Sequence, residues 1–340
     1  MTSVSIVVPV YNEAESLREL LRQISEVAAA RDYVVQVVFA DDGSTDGSWE
    51  VIDELAEQDS RVLGVRLRRN FGKAAALSAG FEAAVHPFVV TMDGDLQDDP
   101  AEIPRLLKQI DRDQGGAYDV VSGWKQVRHD PLHKTAPSKV FNWLVSKSTG
   151  VKLNDHNCGL KAYRREVLNE VCLYGELHRF VPVLAAARGF KVTESVVNHR
   201  ERKHGASKYG ASRLVKGLLD ILTVHFITGY AQRPQHMLGG FGLGSFLLGL
   251  LGLVYLACRW VLSRVIAGWE PIALHESPAM YYSLGFLMIG TQFLAIGLLG
   301  EMITARLSRS EDHYSIAEFT DPKKSEPQKS DANAPTPGNA

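Results

Sequence analysis

The chain has 340 residues, enough for one large catalytic domain and an accessory part. It is 45% hydrophobic and 22% charged with a formal net charge of −2, so no global basic field marks it as a nucleic-acid binder. Cys158, Cys172 and Cys258 are too few for a disulfide framework and lack metal-ligand spacing, which fits reduced thiols in a cytosolic domain.

The chain begins Met1-Thr-Ser-Val-Ser-Ile-Val-Val-Pro-Val, with no basic leader before a short apolar run. It reads as a first strand and not a signal peptide, so the catalytic part is expected to stay on the side where it is made. Val4–Val8, Val34–Phe39, Val62–Leu67 and Phe88–Met92 are apolar runs of strand length. Between them, Ser16-Leu-Arg-Glu predicts a capping box opening a helix whose apolar face is Leu17, Leu20, Leu21 and Ile24. A second helix is expected after Asp46 and a third after Gly72. Strand–helix alternation with near-continuous apolar strands predicts an α/β fold, a mostly parallel sheet with helices on both faces. Ligands of such sheets bind beyond the carboxyl ends of the strands.

From Ala211 to about Tyr230 an apolar stripe (Leu214, Leu218, Ile221, Leu222, Phe226) lies opposite Arg213, Lys216 and Asp220. A core helix and an interfacial helix explain it about equally; its place before a hydrophobic span favours the headgroup layer. Two runs, about 237–260 and 279–300, are long and apolar enough to cross a bilayer. Gly239, Gly240, Gly242, Gly244 and Gly249 in the first permit close helix packing, including with another copy of the chain. Arg233 precedes the first span, and Arg306 and Arg309 follow the second. This places both termini in the cytoplasm, although Arg259 and Arg264 weaken the contrast. The expected organisation is a catalytic domain over 1–210, a juxtamembrane amphipathic region over 211–235, two transmembrane helices within 236–305 and a tail over 306–340. The tail after Asp321 is rich in Pro, Lys, Ser, Asn and Ala and is expected to be disordered.

Polar clusters sit at the ends of the apolar strands. In Asp93-Gly-Asp95-Leu-Gln97, two carboxylates one residue apart can share a hard divalent cation such as Mg²⁺ or Mn²⁺, with Gln97 as a neutral oxygen. Such an ion stabilises a departing nucleoside diphosphate. Asp41 and Asp42 can hydrogen-bond a base or ribose, while Ser44 to Asp46 suit a turn and helix cap. Pro9-Val-Tyr11-Asn12-Glu13 clusters an aromatic, an amide and a carboxylate where a nucleoside could lie, and Arg69-Asn70-Phe71-Gly72-Lys73 offers cations at a helix start for a phosphate.

This ordered set, Val8-Pro-Val-Tyr-Asn-Glu13, Asp41-Asp-Gly-Ser-Thr-Asp46, Asn70-Phe-Gly-Lys73 and Asp93-Gly-Asp95, resembles the family 2 glycosyltransferases of GT-A fold. Within that family the chain is similar, over about residues 4–305, to polyprenyl-phosphate hexosyltransferases, the bacterial relatives of dolichol-phosphate mannose synthase. The resemblance implies that Pro9, Tyr11, Glu13, Asp41 and Asp42 line a nucleotide pocket with Lys73, and that Asp93, Asp95 and Gln97 hold the metal and diphosphate. Arg202-Lys-His-Gly205-Ala-Ser207-Lys208 looks like the loop that closes over the donor diphosphate, where Arg clamps phosphate oxygens and Lys adds a point charge. Lys125, Arg128, Lys134, Ser138 and Ser207 are the implied acceptor-phosphate residues. Asp155 matches a family aspartate regarded as the base, with Glu176 as the alternative. A phosphate monoester is already largely dianionic at pH 7, so the need for any base is small.

The expected reaction is one inverting displacement, from a nucleotide-sugar onto undecaprenyl phosphate at the cytoplasmic face of a bacterial inner membrane. UDP-glucose is the preferred donor, on the resemblance of Gly175–Phe180 and the two-span layout to bacterial glucosyl carriers; GDP-mannose is the alternative. A polymer synthase lacks support because no Gln-x-x-Arg-Trp motif is present, and a dehydrogenase because no Gly-x-Gly-x-x-Gly follows a strand. A non-catalytic nucleotide-sugar-binding scaffold is the non-enzyme alternative, and a homo-oligomer is the expected assembly.

Overall fold

The apolar runs become strands, most of them buried on both faces; the edge strand is only partly covered, with Leu63 exposed. β1 (Ser3–Val10), β2 (Val34–Asp41), β3 (Val62–Arg66) and β4 (Phe88–Thr91) are mutually parallel where they pair. β5 (Val120–Trp124), β6 (Lys161–Arg164) and β7 (Val192–Val196) extend the sheet to the order β3-β2-β1-β4-β6-β5-β7. β6 runs antiparallel to both neighbours. The computed structural model describes residues 1–126, 132–171, 173, 175–200, 212–229, 234–266, 269 and 273–307.

The helices are α1 (Ala14–Ala30), α2 (Ser48–Gln58), α3 (Lys73–Ala83), α4 (Ile103–Ile110), α5 (Leu132–Thr149), α6 (Arg165–Glu170), α7 (Val181–Ala187), α8 (Ser212–Gly229), α9 (Pro234–Val265) and α10 (Pro278–Leu307). Alternation along the strands splits the core into two layers. Ile6, Val8, Val37, Phe39, Val90 and Met92 pack with Leu17, Leu20 and Ile24 of α1, Ile52 of α2 and Leu106 of α4. Val7, Val38 and Val89 point the other way, against Leu77 of α3. α3 lies so close that a Cβ at Gly80 would sit 2.4 Å from Val7 Cγ1.

The expected capping box at Ser16 does not form. α1 starts two residues earlier, at Ala14, and Ser16 Oγ instead shares its one proton between the carbonyls of Glu13 (2.8 Å) and Gly94 (2.5 Å). The hydroxyl therefore ties α1 to the turn after β4. α8 also differs from a free interfacial helix: Ile221 and Val224 are buried with Val145 of α5 and Leu177, Phe180 and Val183. His225 Nδ1 lies 2.9 Å from the Ser148 carbonyl. Leu219 stays exposed, so at least part of the stripe seals the domain.

α9 and α10 are long and apolar enough to cross a membrane. Only 17% and 11% of their most apolar windows are buried within the protein, the reverse of a soluble core helix. They pair backbone to backbone: a Cβ at Gly249 would lie 2.5 Å from the Ser283 carbonyl oxygen, and one at Gly290 2.4 Å from Phe246 N. Gly242 and Gly249 thus serve the α9–α10 contact, whereas Gly240 and Gly244 meet nothing within 4 Å. The tail after residue 307 lies outside the described residues.

Gly80→Val should force α3 off the sheet and destabilise the protein by about 1–3 kcal/mol, the usual cost of overpacking. A lowered thermal midpoint of the purified full chain is the expected reading.

Candidate active site

The loops after β1 and β2 are laced together by side chains. Asn12, at φ +58°, donates its N–H to Ser44 Oγ (2.9 Å) and accepts from Thr45 N at Oδ1 (2.8 Å). Ser48 Oγ accepts from Glu13 N (2.9 Å), and Asp46 accepts from Ala14 N (3.2 Å) and Ser48 N (3.0 Å). Gly43 stands at φ +70°, and a Cβ there would lie 2.5 Å from the Arg69 backbone, so glycine alone fits. This lacing holds Pro9, Tyr11 and Glu13 at the open end of the sheet.

The two adjacent aspartates have different work. Asp41 is fully buried, accepts from Ser44 N at Oδ1 (3.1 Å) and lies 3.7 Å from Arg66 Nε. Asp42, expected to contact ligand, spends both oxygens on the next loop: Oδ1 accepts from Phe71 N (2.7 Å) and Oδ2 from Gly72 N (2.9 Å). Burial raises its pKa, with those two bonds opposing. Asp42 is thus a clamp that sets the start of α3 and with it Lys73.

The acidic turn follows β4. Leu96 is a non-glycine residue at φ +64°, a costly backbone state, but its side chain is 5% exposed and lodged in the core. Asp95 accepts from Gln97 N (3.2 Å), and Asp98 Oδ2 accepts from Asp93 N (3.1 Å). Asp98 Oδ1 lies 2.9 Å from Lys125 Nζ, in a pair exposed by 1% and 13%. Burial works most strongly against the Lys125 charge, but Asp98, Cys158 and Asp93 together outweigh it and raise the pKa. Lys125, expected at the acceptor phosphate, is therefore engaged beneath the turn. On the other side, Arg200 N donates to the Gln97 carbonyl (3.0 Å) and the Arg200 guanidinium pairs with Asp99 (2.6 Å).

Asp93 carries an ion pair with Lys73. Burial alone would raise the Asp93 pKa, but Lys73, Lys125 and Lys161 together hold it well below the usual carboxylate range. Its carboxylate also rests on Gly159, where a Cβ would come within 2.6 Å of its carbon and both oxygens. Beside it opens a cleft of about 160 Å³, lined by Lys73, Asp93, Asn157, Lys161, His178 and Arg179 among others. Burial lowers the His178 pKa to about 2 and that of His156 to about 4, so both imidazoles are neutral at working pH. Asp155 is 1% exposed and accepts from Asn157 N (3.1 Å), beneath the cleft and not in its lining. The alternative base Glu176 is half-exposed and paired with Arg179 (2.7 Å).

Arg128, Arg202, Ser207 and Lys208 lie outside the described residues. Lys134 and Ser138 fall on α5, with side chains outside them too. Asp98, Asp99, Arg200 and Lys161 are functional residues that motif spacing alone does not mark. Asp98 and Asp99 directly follow Gln97, and a carboxylate run at a strand end was the available signal. Asp93 and Asp95 give two carboxylates, and no group of three or more His, Cys, Asp or Glu able to hold a metal occurs among the described residues. Two hard oxygen donors on a turn fit a divalent cation that keeps positions for phosphate and water, not a closed cage.

The model of the family named Glycosyl transferase family 2 matches residues 5–172. A dodecaprenyl-phosphate galacturonate synthase of Rhizobium johnstonii is 35% identical over 323 residues, covering 93% of each chain. The chain belongs to the family 2 glycosyltransferases. An undecaprenyl-phosphate 4-deoxy-4-formamido-L-arabinose transferase of Pseudomonas syringae is 38% identical over 302 residues, 88% of this chain and 85% of that one. Among solved structures, glucosyl-3-phosphoglycerate synthase from Mycobacterium tuberculosis, in complex with Mn²⁺ and UDP-glucose, superposes with TM-score 0.50 at 18% identity, covering 67% of this glycosyltransferase and 79% of that chain. That likeness shows the GT-A fold.

Asp98→Ala should leave the Lys125 charge buried and unpaired, destabilising the enzyme by about 3 kcal/mol, read by chemical denaturation. Lys73→Met removes one of the cations that depress the Asp93 pKa. The wild-type carboxylate stays ionised as pH falls through the usual carboxylate range, so the variant should lose nucleotide affinity at a higher pH on the acid side. Calorimetric titration with nucleotide between pH 4 and 7 checks it.

Proposed function

We propose that this glycosyltransferase transfers a sugar from a nucleotide-sugar to a polyprenyl phosphate at a membrane surface, inverting the anomeric configuration in one displacement. The observation that carries it is the union in one chain of an acidic turn at the strand ends with two membrane-length helices. Relatives named for polyprenyl-phosphate sugar transfer match 85–93% of their own length. Pro9, Tyr11, Glu13 and Asp41 face the nucleoside, and Asp93 and Asp95 the diphosphate. A divalent cation held by Asp93, Asp95 and Gln97, when bound, would stabilise the charge of the leaving diphosphate.

The protein's own part is positioning. Lys73 orients Asp93, the Asp98–Lys125 pair fixes the turn, and Arg202 and Lys208 are assigned to the diphosphate on the family resemblance of their loop. The acceptor phosphate is already dianionic near pH 7, so Asp155, buried beneath the cleft, acts by shaping the site and not by removing a proton. Lys134 and Ser138, with Arg128, take the acceptor phosphate. Arg233, Arg306 and Arg309 flank the spans, which puts the catalytic head and both termini in the cytoplasm of a bacterium. The sugars in the relatives' names widen the donor field beyond UDP-glucose to substituted sugars.

The test is transfer of radiolabel from a panel of nucleotide-sugars to undecaprenyl phosphate by purified wild type and Asp95→Asn, with and without EDTA. Lipid-extractable label from at least one donor is expected, falling at least about 100-fold in the variant and with EDTA. Nucleotide binding without transfer from any donor would favour a non-catalytic scaffold.

A further inference from the structure

β6 breaks the binary pattern of the sheet. Lys161 is directly opposite Thr91 on β4 and Ser122 on β5, while Tyr163, two residues on, is buried with Val120 and Val167. Side chains two apart on a strand share a face, so Lys161 occupies an inward position where an apolar residue would serve the fold better. It is 4% exposed, yet it lines the cleft beside Asp93.

Its ammonium has three donors, and among the described residues it donates to the Cys158 carbonyl. Among the described residues no carboxylate is at ion-pair distance. Asp93 and Asp155 are within Coulombic reach and partly offset the buried charge, but Asp93 is already paired with Lys73 and neither carboxylate forms an ion pair with Lys161 among the described residues. A buried cation costs stability unless it is paired, and burial lowers the pKa of Lys161 accordingly. A structural lysine would have its counter-ion built in. A ligand-binding lysine waits for one to arrive through the cleft.

We propose that Lys161 is a substrate-binding residue that receives an anionic oxygen of the nucleotide-sugar. This rests on the transfer reading above and adds a residue and a ligand chemistry to it. The oxygen belongs either to the donor diphosphate or to a carboxylate on the sugar, and the two sources separate experimentally. Arg179 is held by Glu176 and Lys73 by Asp93, which makes Lys161 the cation of the lining without a carboxylate partner among the described residues.

The experiment is calorimetric titration of the purified full chain with UDP, UDP-glucose, UDP-glucuronate and GDP-mannose, comparing wild type, Lys161→Met and Lys161→Arg. At least a tenfold loss of affinity is expected in Lys161→Met, with Lys161→Arg closer to wild type and no fall in the thermal midpoint of Lys161→Met. Loss for UDP as well as its sugars identifies the diphosphate; loss confined to UDP-glucuronate identifies a sugar carboxylate. Unchanged affinity for every ligand overturns the assignment, as does a lowered midpoint with ligand affinity intact. Should Lys161→Met not fold, amine labelling of wild type decides: saturating ligand must slow modification of Lys161, and unchanged labelling overturns the proposal. A wild type that binds no nucleotide-sugar overturns the transfer reading itself.

Discussion

Four aspartates fall within the seven residues from Asp93 to Asp99, and their mutual repulsion is the constraint that the surrounding structure answers. Asp93 is met by Lys73, Asp98 by Lys125 and Asp99 by Arg200. These cations come from the start of α3, the end of β5 and the segment after β7, so neutralising the turn also draws three distant parts of the chain together. Leu96, forced into a left-handed conformation and anchored in the core, pins the turn from below. Removing charge repulsion by other means would have left these segments without a reason to meet.

The same economy links the site to the membrane. α8 is tied to α5 through Val145, Ile221, Val224 and the His225–Ser148 contact, and α5 carries Lys134 and Ser138. The helix that precedes the spans is thereby part of the wall of the catalytic head. An acceptor whose phosphate lies at the headgroup plane and whose tail is in lipid suits an enzyme built this way.

Much of the fold was legible because β1, β2 and β4 are buried on both faces, and continuous apolar runs announce such strands. β6 was not, since its four residues begin with Lys161 and end with Arg164, which reads as a solvated loop. The Ser16 capping box failed because the hydroxyl finds a better use across 78 residues of sequence, at the Gly94 carbonyl. Spacing marked Asp93 and Asp95 as a pair at a strand end. It could not separate Asp41 from Asp42, because what distinguishes them is the N–H groups of Phe71 and Gly72, about thirty residues away. The stripe on α8 was ambiguous for a plain reason: lipid and protein core ask for the same side chains.

The proposal that Asp93, Asp95 and Gln97 would hold a divalent cation, whose charge would stabilise a leaving diphosphate, is open to direct measurement. Electron paramagnetic resonance of Mn²⁺ titrated into the purified enzyme with UDP tests it most directly. The account predicts bound Mn²⁺ that depends on UDP, is lost in Asp95→Asn and is retained in Glu176→Gln. Mn²⁺ binding that is indifferent to UDP and survives Asp95→Asn would contradict it.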